Sequence, residues 1–135
     1  MLTRYLGLQQ GALEEMGKER QRLRELARRE EQRALQLQEV IGNLGKGGGS
    51  FHPLLLQNRQ QMDGQLRRLL SHQVQQSTLA RIDLERHEQQ LRRQFGRVKG
   101  LEGVLARREL ADRQQREEQE QRQLDELSSQ RHRDR

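Results

Sequence analysis

The run LRRLLSHQVQQSTLARIDLERHEQQLRRQFGRVKGLEGVL, residues 66–105, decides the fold. Taken at alternating steps of four and three it reads Leu66, Leu70, Gln73, Ser77, Ala80, Leu84, His87, Leu91, Gln94, Val98, Leu101 and Leu105. Two helices need such a heptad stripe to bury a shared seam and wind left-handedly around each other. The positions between are mostly Arg, Gln, Glu and Asp, which solvate the outer face, and no Pro interrupts them. Gln73, Ser77, His87 and Gln94 place polar groups on the seam, which weakens it as an apolar zipper. The segment is a long amphipathic helix that needs a helical partner.

Composition excludes a globular core. Apolar residues make up 30%, aromatics 2% and charged residues 34% of the 135 residues. Such a chain cannot enclose a spherical core that outweighs its conformational entropy. Burial in stripes suffices for a coiled coil, so the expectation is an elongated helical protein. There is no Cys, hence no disulfide framework and no thiolate chemistry. No apolar run is long enough to span a membrane. The opening MLTRYL lacks the apolar block of a signal peptide, which points to the cytoplasm. The net charge of +6 is central: residues 45–105 carry ten basic against five acidic side chains, residues 1–44 eight against seven, and residues 106–135 eight against eight.

A first helix is expected over residues 2–44. With Leu2 as position a, that column holds Leu2, Gln9, Met16, Leu23, Glu30, Leu37 and Leu44. Position d then holds Tyr5, Ala12, Glu19, Leu26, Arg33 and Val40. Gly7, Gly11 and Gly17 each cost about 1 kcal/mol relative to Ala, so the first turns are expected to fray. Residues 45–52, with Gly47-Gly48-Gly49, are the expected loop, and Pro53 suits the first turn of a second helix. So short a connection makes the helices turn back as an antiparallel hairpin.

The second helix is expected over residues 53–128, with a frayed tail at 129–135. At 1.5 Å per residue it spans on the order of 110 Å against roughly 60 Å for the first. The first helix therefore runs out near residues 95–100, and the last thirty or so residues project uncovered. After Leu105 the seam stutters to Leu110, Leu124 and Leu127, while Glu109–Arg113, Asp112–Arg116 and Glu118–Arg122 stand at the favourable i,i+4 spacing. The fold class is thus all-α, a two-helix antiparallel coiled-coil hairpin in a single domain whose second helix is much the longer.

No catalytic constellation emerges. His52, His72, His87 and His132 have no ligand spacing, and His87 reads as a tolerated polar seam position. Gly45-Lys46 lacks the spacing and the strand–loop–helix setting of a phosphate loop. No cofactor or metal is expected. A basic reader of nucleic acid would need a dense basic block before its zipper or aromatics for stacking, and here Arg alternates with Glu and Gln. Gly96, Gly100 and Gly103 share one side of the second helix off the seam, either as small surface residues or as a close-approach face or hinge.

Two stretches carry a resemblance. Residues 97–131, RVKGLEGVLARRELADRQQREEQEQRQLDELSSQR, are similar to the C-terminal half of the bacterial flagellar export protein family FliJ and its virulence-secretion, YscO-like relatives. The matching residues are Arg97, Val98, Lys99, Leu101, Glu102, Leu105 and Leu124 to Leu127. Upstream, QNRQQMDGQLRRLLSHQ matches the family segment at Asn58, Leu66 and Gln73. It departs at Met62, where an aromatic is usual, and at Leu69, where Ala is usual. The first helix is similar in pattern only and lacks the tyrosines often found before the loop.

The resemblance covers most of residues 54–130 and implies a two-helix coiled coil similar to the stalk of rotary ATP synthases. The implied role is a non-enzymatic stalk in a type III export apparatus, at the cytoplasmic face of the inner membrane. Its implied partners are the hexameric export ATPase, the cytoplasmic domain of the export-gate membrane protein and export chaperones. By position, Met62, Leu66, Leu69 and Gln73 would face the gate, and Arg97, Lys99, Leu101 and Leu105 the ATPase. The competing expectations are a generic coiled-coil scaffold or dimerisation element and, further off, a basic nucleic-acid-associated protein.

Overall fold

The computed structural model describes residues 1–46 and 53–133. They form two helices, α1 (Leu2–Lys46) and α2 (Pro53–Arg133), of 45 and 81 residues. The second helix is much the longer, and the two pack as a helical hairpin without strands among the described residues. Gly45 and Lys46 still belong to α1, and α2 continues past the expected end at residue 128 to Arg133. Lys46 in the last turn of α1, and Arg131, His132 and Arg133 in that of α2, suit the negative end of a helix dipole. The Gly47–Gly49 part of the expected loop, and residues 134–135 of the expected tail, lie outside the described residues.

The chain divides into two units, Glu14–Arg92 and Met1–Leu13 with Arg93–Arg135. In the first unit α1 and α2 run antiparallel. His87 Nε2 lies 2.7 Å from the Met16 carbonyl, and Gln73 Nε2 donates to the Glu30 carbonyl at 3.0 Å. Fourteen residues forward along α1 therefore match fourteen residues back along α2. Small residues make this reach possible. Ala34, Ser77 and Ala80 are buried, so the backbones approach closely enough for a Gln or His side chain to touch main chain.

The stripe Leu66, Leu70, Gln73, Ser77, Ala80, Leu84, His87, Leu91, Gln94, Val98, Leu101, Leu105 is inward-facing at every position. The frame of α1 differs from expectation. The Leu2 column does turn inward, but its partners are the residues four later, Leu6, Leu13, Arg20, Ala27, Ala34 and Ile41. Tyr5, Leu26 and Val40 of the expected d column are exposed. Apolar residues stand at both +3 and +4 from the Leu2 column. Contact with α2 selects the +4 set, which contains the small Ala27 and Ala34.

Arg20 on this seam sets its Nε 3.5 Å from Glu88 Oε1, a charge contact without hydrogen-bond alignment. The outer face of α1 carries Glu15–Lys18, Glu19–Arg22 and Glu25–Arg28 pairs at i,i+3, and Arg33 reaches back to the inward Glu30 at the same spacing. Such surface pairs are each worth about 0.2–0.5 kcal/mol. At Glu19 the two-pronged hydrogen bond from Arg22 outweighs the opposing desolvation and, with the charges of Arg22 and His87, holds the carboxyl below its ordinary value.

In the second unit Gln94 repeats the Gln73 pattern, donating to the Gln9 carbonyl at 3.0 Å and to Gln9 Oε1 at 2.7 Å. Val98 beside it is 3% exposed, the lowest value in the core. From Ala106 to Arg133 every described residue is exposed, as the mismatch of helix lengths requires. A Cβ added at Gly96 or Gly100 would meet open space. Neither glycine serves a close approach within the chain.

Two outcomes follow from this packing. Gly96→Ala and Gly100→Ala are each expected to raise stability by about 0.5–1 kcal/mol, read by thermal melting of helical circular dichroism. Because the Glu19 value is depressed, its contribution is present at neutral pH and lost as pH falls through the folded-state value. Arg22→Gln should move the Glu19 titration up towards the ordinary carboxylate range, as followed by side-chain NMR.

Candidate docking surfaces

The unit Glu14–Arg92 has one apolar flank. Val40 and Leu44 of α1 and Leu55 and Met62 of α2 line an open groove of about 640 Å³, with Asn43, Asn58 and Arg59 at its rim. Leu55, Met62 and Leu69 recur every seven residues and so share one edge of α2. They are 54%, 52% and 55% exposed, values that rule them out of the seam. Val40 is also about half exposed. The other edge of α2 carries Arg67, Val74, Arg81 and Glu88 at the same spacing, charged at three of four positions. Two facing apolar edges left exposed on a helix pair mark a candidate partner surface.

The four residues expected at the gate are thus divided. Met62 and Leu69 face outward on the apolar flank. Leu66 is half-buried on the seam, and Gln73 spends its amide on Glu30. Sequence reasoning missed Leu55, and it put Val40 in the seam. The signal for Leu55 was present as the third member of the 55–62–69 repeat.

The second unit offers a different surface. Arg97 and Lys99 are exposed. Arg97 Nη1 lies 3.4 Å from Gln94 Oε1. Lys99 Nζ sits 5.4 Å above the ring centre of Phe95 and 3.4 Å from Glu102 Oε2. Phe95 itself is 52% exposed, so a cationic and aromatic pair stands at the surface. Leu101 and Leu105 are half-buried and turn towards the seam. Beyond them Leu110, Leu124 and Leu127 are exposed. Among the described residues no three His, Cys, Asp or Glu stand together so as to hold a metal ion, and no helix is long and apolar enough to cross a membrane.

The family model for the flagellar FliJ protein matches residues 4–135, nearly the whole chain. The chain belongs to the FliJ family. Membership makes this FliJ-family protein a component of the flagellar export apparatus, in a family that is not catalytic. No curated protein and no solved structure matches the chain. The match includes the first helix, where the resemblance by motif was weakest.

The two classes of expected gate residue separate by stability. Leu66→Ala should destabilise the FliJ-family hairpin by about 1–3 kcal/mol. Met62→Ala and Leu69→Ala should stay within about 0.5 kcal/mol of the parent. Urea denaturation of the three variants makes the comparison.

Proposed function

We infer that this protein is the non-enzymatic central stalk of the flagellar export apparatus. It binds the hexameric export ATPase, promotes assembly of its ring and bridges it to the cytoplasmic domain of the export gate, with export chaperones as further partners. It works at the cytoplasmic face of the inner membrane. The family match over residues 4–135 carries this reading.

The chemistry of the two surfaces supports it. The flank of Val40, Leu55, Met62 and Leu69 is apolar with a polar rim, as a protein-binding groove needs. We assign the gate contact to this flank, with Met62 and Leu69 touching the partner and Leu66 and Gln73 supporting them from the seam. We assign the ATPase contact to the end bearing Arg97, Lys99, Leu101 and Leu105, continued by the uncovered helix 106–133. The excess of basic side chains in residues 45–105 favours acidic partner surfaces and faster encounter.

Co-purification with the export ATPase, with ATP turnover assayed at rising amounts of this protein, tests the stalk reading. Stimulated turnover and ring formation are expected. Absence of binding, with a monodisperse dimer in light scattering, would favour a generic coiled-coil scaffold. Charge reversal by Arg97→Glu with Lys99→Glu should weaken ATPase binding about tenfold or more with helicity intact. Unchanged affinity would remove those two residues from the interface.

A further inference from the structure

Gln73 and Gln94 each use both hydrogens of the side-chain amide on α1. Gln94 donates to the Gln9 carbonyl at 3.0 Å and to Gln9 Oε1 at 2.7 Å. Gln73 donates to the Glu30 carbonyl at 3.0 Å and to the Glu30 carboxylate. The two kinds of acceptor do different things. A main-chain carbonyl recurs at every turn of α1, so it satisfies a seam amide in any register. A side-chain acceptor does not recur. In the inward column Leu2, Gln9, Met16, Leu23, Glu30, Leu37, Leu44, only Gln9 and Glu30 are polar.

These two acceptors stand 21 residues apart, and so do their donors Gln73 and Gln94. A slip of one heptad would set Gln94 against Met16 or Leu2, and Gln73 against Leu37 or Leu23. Each amide would keep a carbonyl and lose its second partner. The Glu30 carboxylate would meet Ala80 or Leu66 instead of an amide. The apolar members of that column, Leu2, Met16, Leu23, Leu37 and Leu44, are of similar size and discriminate weakly, while the other inward column adds Arg20, whose contact with Glu88 a slip would also break.

We propose that Gln73 and Gln94, with Glu30 and Gln9 as their acceptors, are the register-setting residues of the hairpin. Gln73 is then a positioning residue for the groove. It fixes which part of α1 brings Val40 and Leu44 alongside Leu55 and Met62. The inference goes beyond the stalk reading and does not depend on any partner.

The chain has no Cys, so introduced pairs report alone. Leu23 and Ala80 both turn inward, midway between the Met16–His87 and Glu30–Gln73 contacts. In the full chain, Leu23→Cys with Ala80→Cys reports the observed register, and Met16→Cys with Ala80→Cys reports a slip of one heptad. Under mild oxidation the parent should form the first intramolecular disulfide at least about tenfold faster than the second. Gln73→Leu with Gln94→Leu should cut that ratio about tenfold or more, with the melting temperature unchanged or raised. Gln9→Leu with Glu30→Leu, which leaves both donors in place, should cut it too. An unchanged ratio in both variants would overturn the proposal, whether or not the melting temperature falls.

Discussion

A side chain from one helix holding a main-chain carbonyl of the other is the contact on which this molecule depends. Gln73, His87 and Gln94 each make it, to Glu30, Met16 and Gln9. A polar group taken from water without a partner costs roughly 1–3 kcal/mol. Three such groups would be ruinous in a seam with so few fully buried side chains. Placed against carbonyls they become attachments. In the tautomer that carries its hydrogen on Nε2, the His87 ring donates to the Met16 carbonyl. The contact also demands close backbones, which explains why the seam uses Ala27, Ala34, Ser77 and Ala80 where longer apolar residues would bury more area.

The hairpin is consequently thin in apolar burial. Its core residues at low exposure are Ala34, Ile41, Ala80 and Val98, none of them large. The remaining stabilisation is spread over half-buried leucines, the three carbonyl contacts and a row of weak surface ion pairs. Such a seam leaves many apolar side chains outside it. Most are scattered singly and mean little. Leu55, Met62 and Leu69 differ because they repeat at seven residues, and the first two face Val40 across a groove.

Much of this was legible in the sequence, and the failures have definite causes. The stripe of α2 could be read because its off-seam positions are mostly charged or polar, so one phase fits best. In α1, Tyr5, Leu26 and Val40 compete with Leu6, Ala27 and Ile41 for the same role, and periodicity alone cannot choose between them. The choice is made by contact with α2, which a single helix's pattern does not contain. The site shows the same limit. Family position marked Met62, Leu66, Leu69 and Gln73 as one set. In the folded chain a step of three or four residues separates an exposed edge from the seam, so the set divides two and two. Gln73 looked like a weak point in the zipper because its acceptors lie 43 residues away in sequence.

Residues 106–133 are helical without being packed on anything described. Their structure is governed by a helix–coil equilibrium, in which each turn is held by its neighbours and ends fray first. Such a segment opens locally at a free energy far below that of global unfolding. Its amide hydrogens exchange quickly, and its many arginines are open to trypsin-like proteases while the seam remains intact. A partner that encloses it would extinguish both behaviours, so the binding state of this end of the molecule is written in its rate of hydrogen exchange.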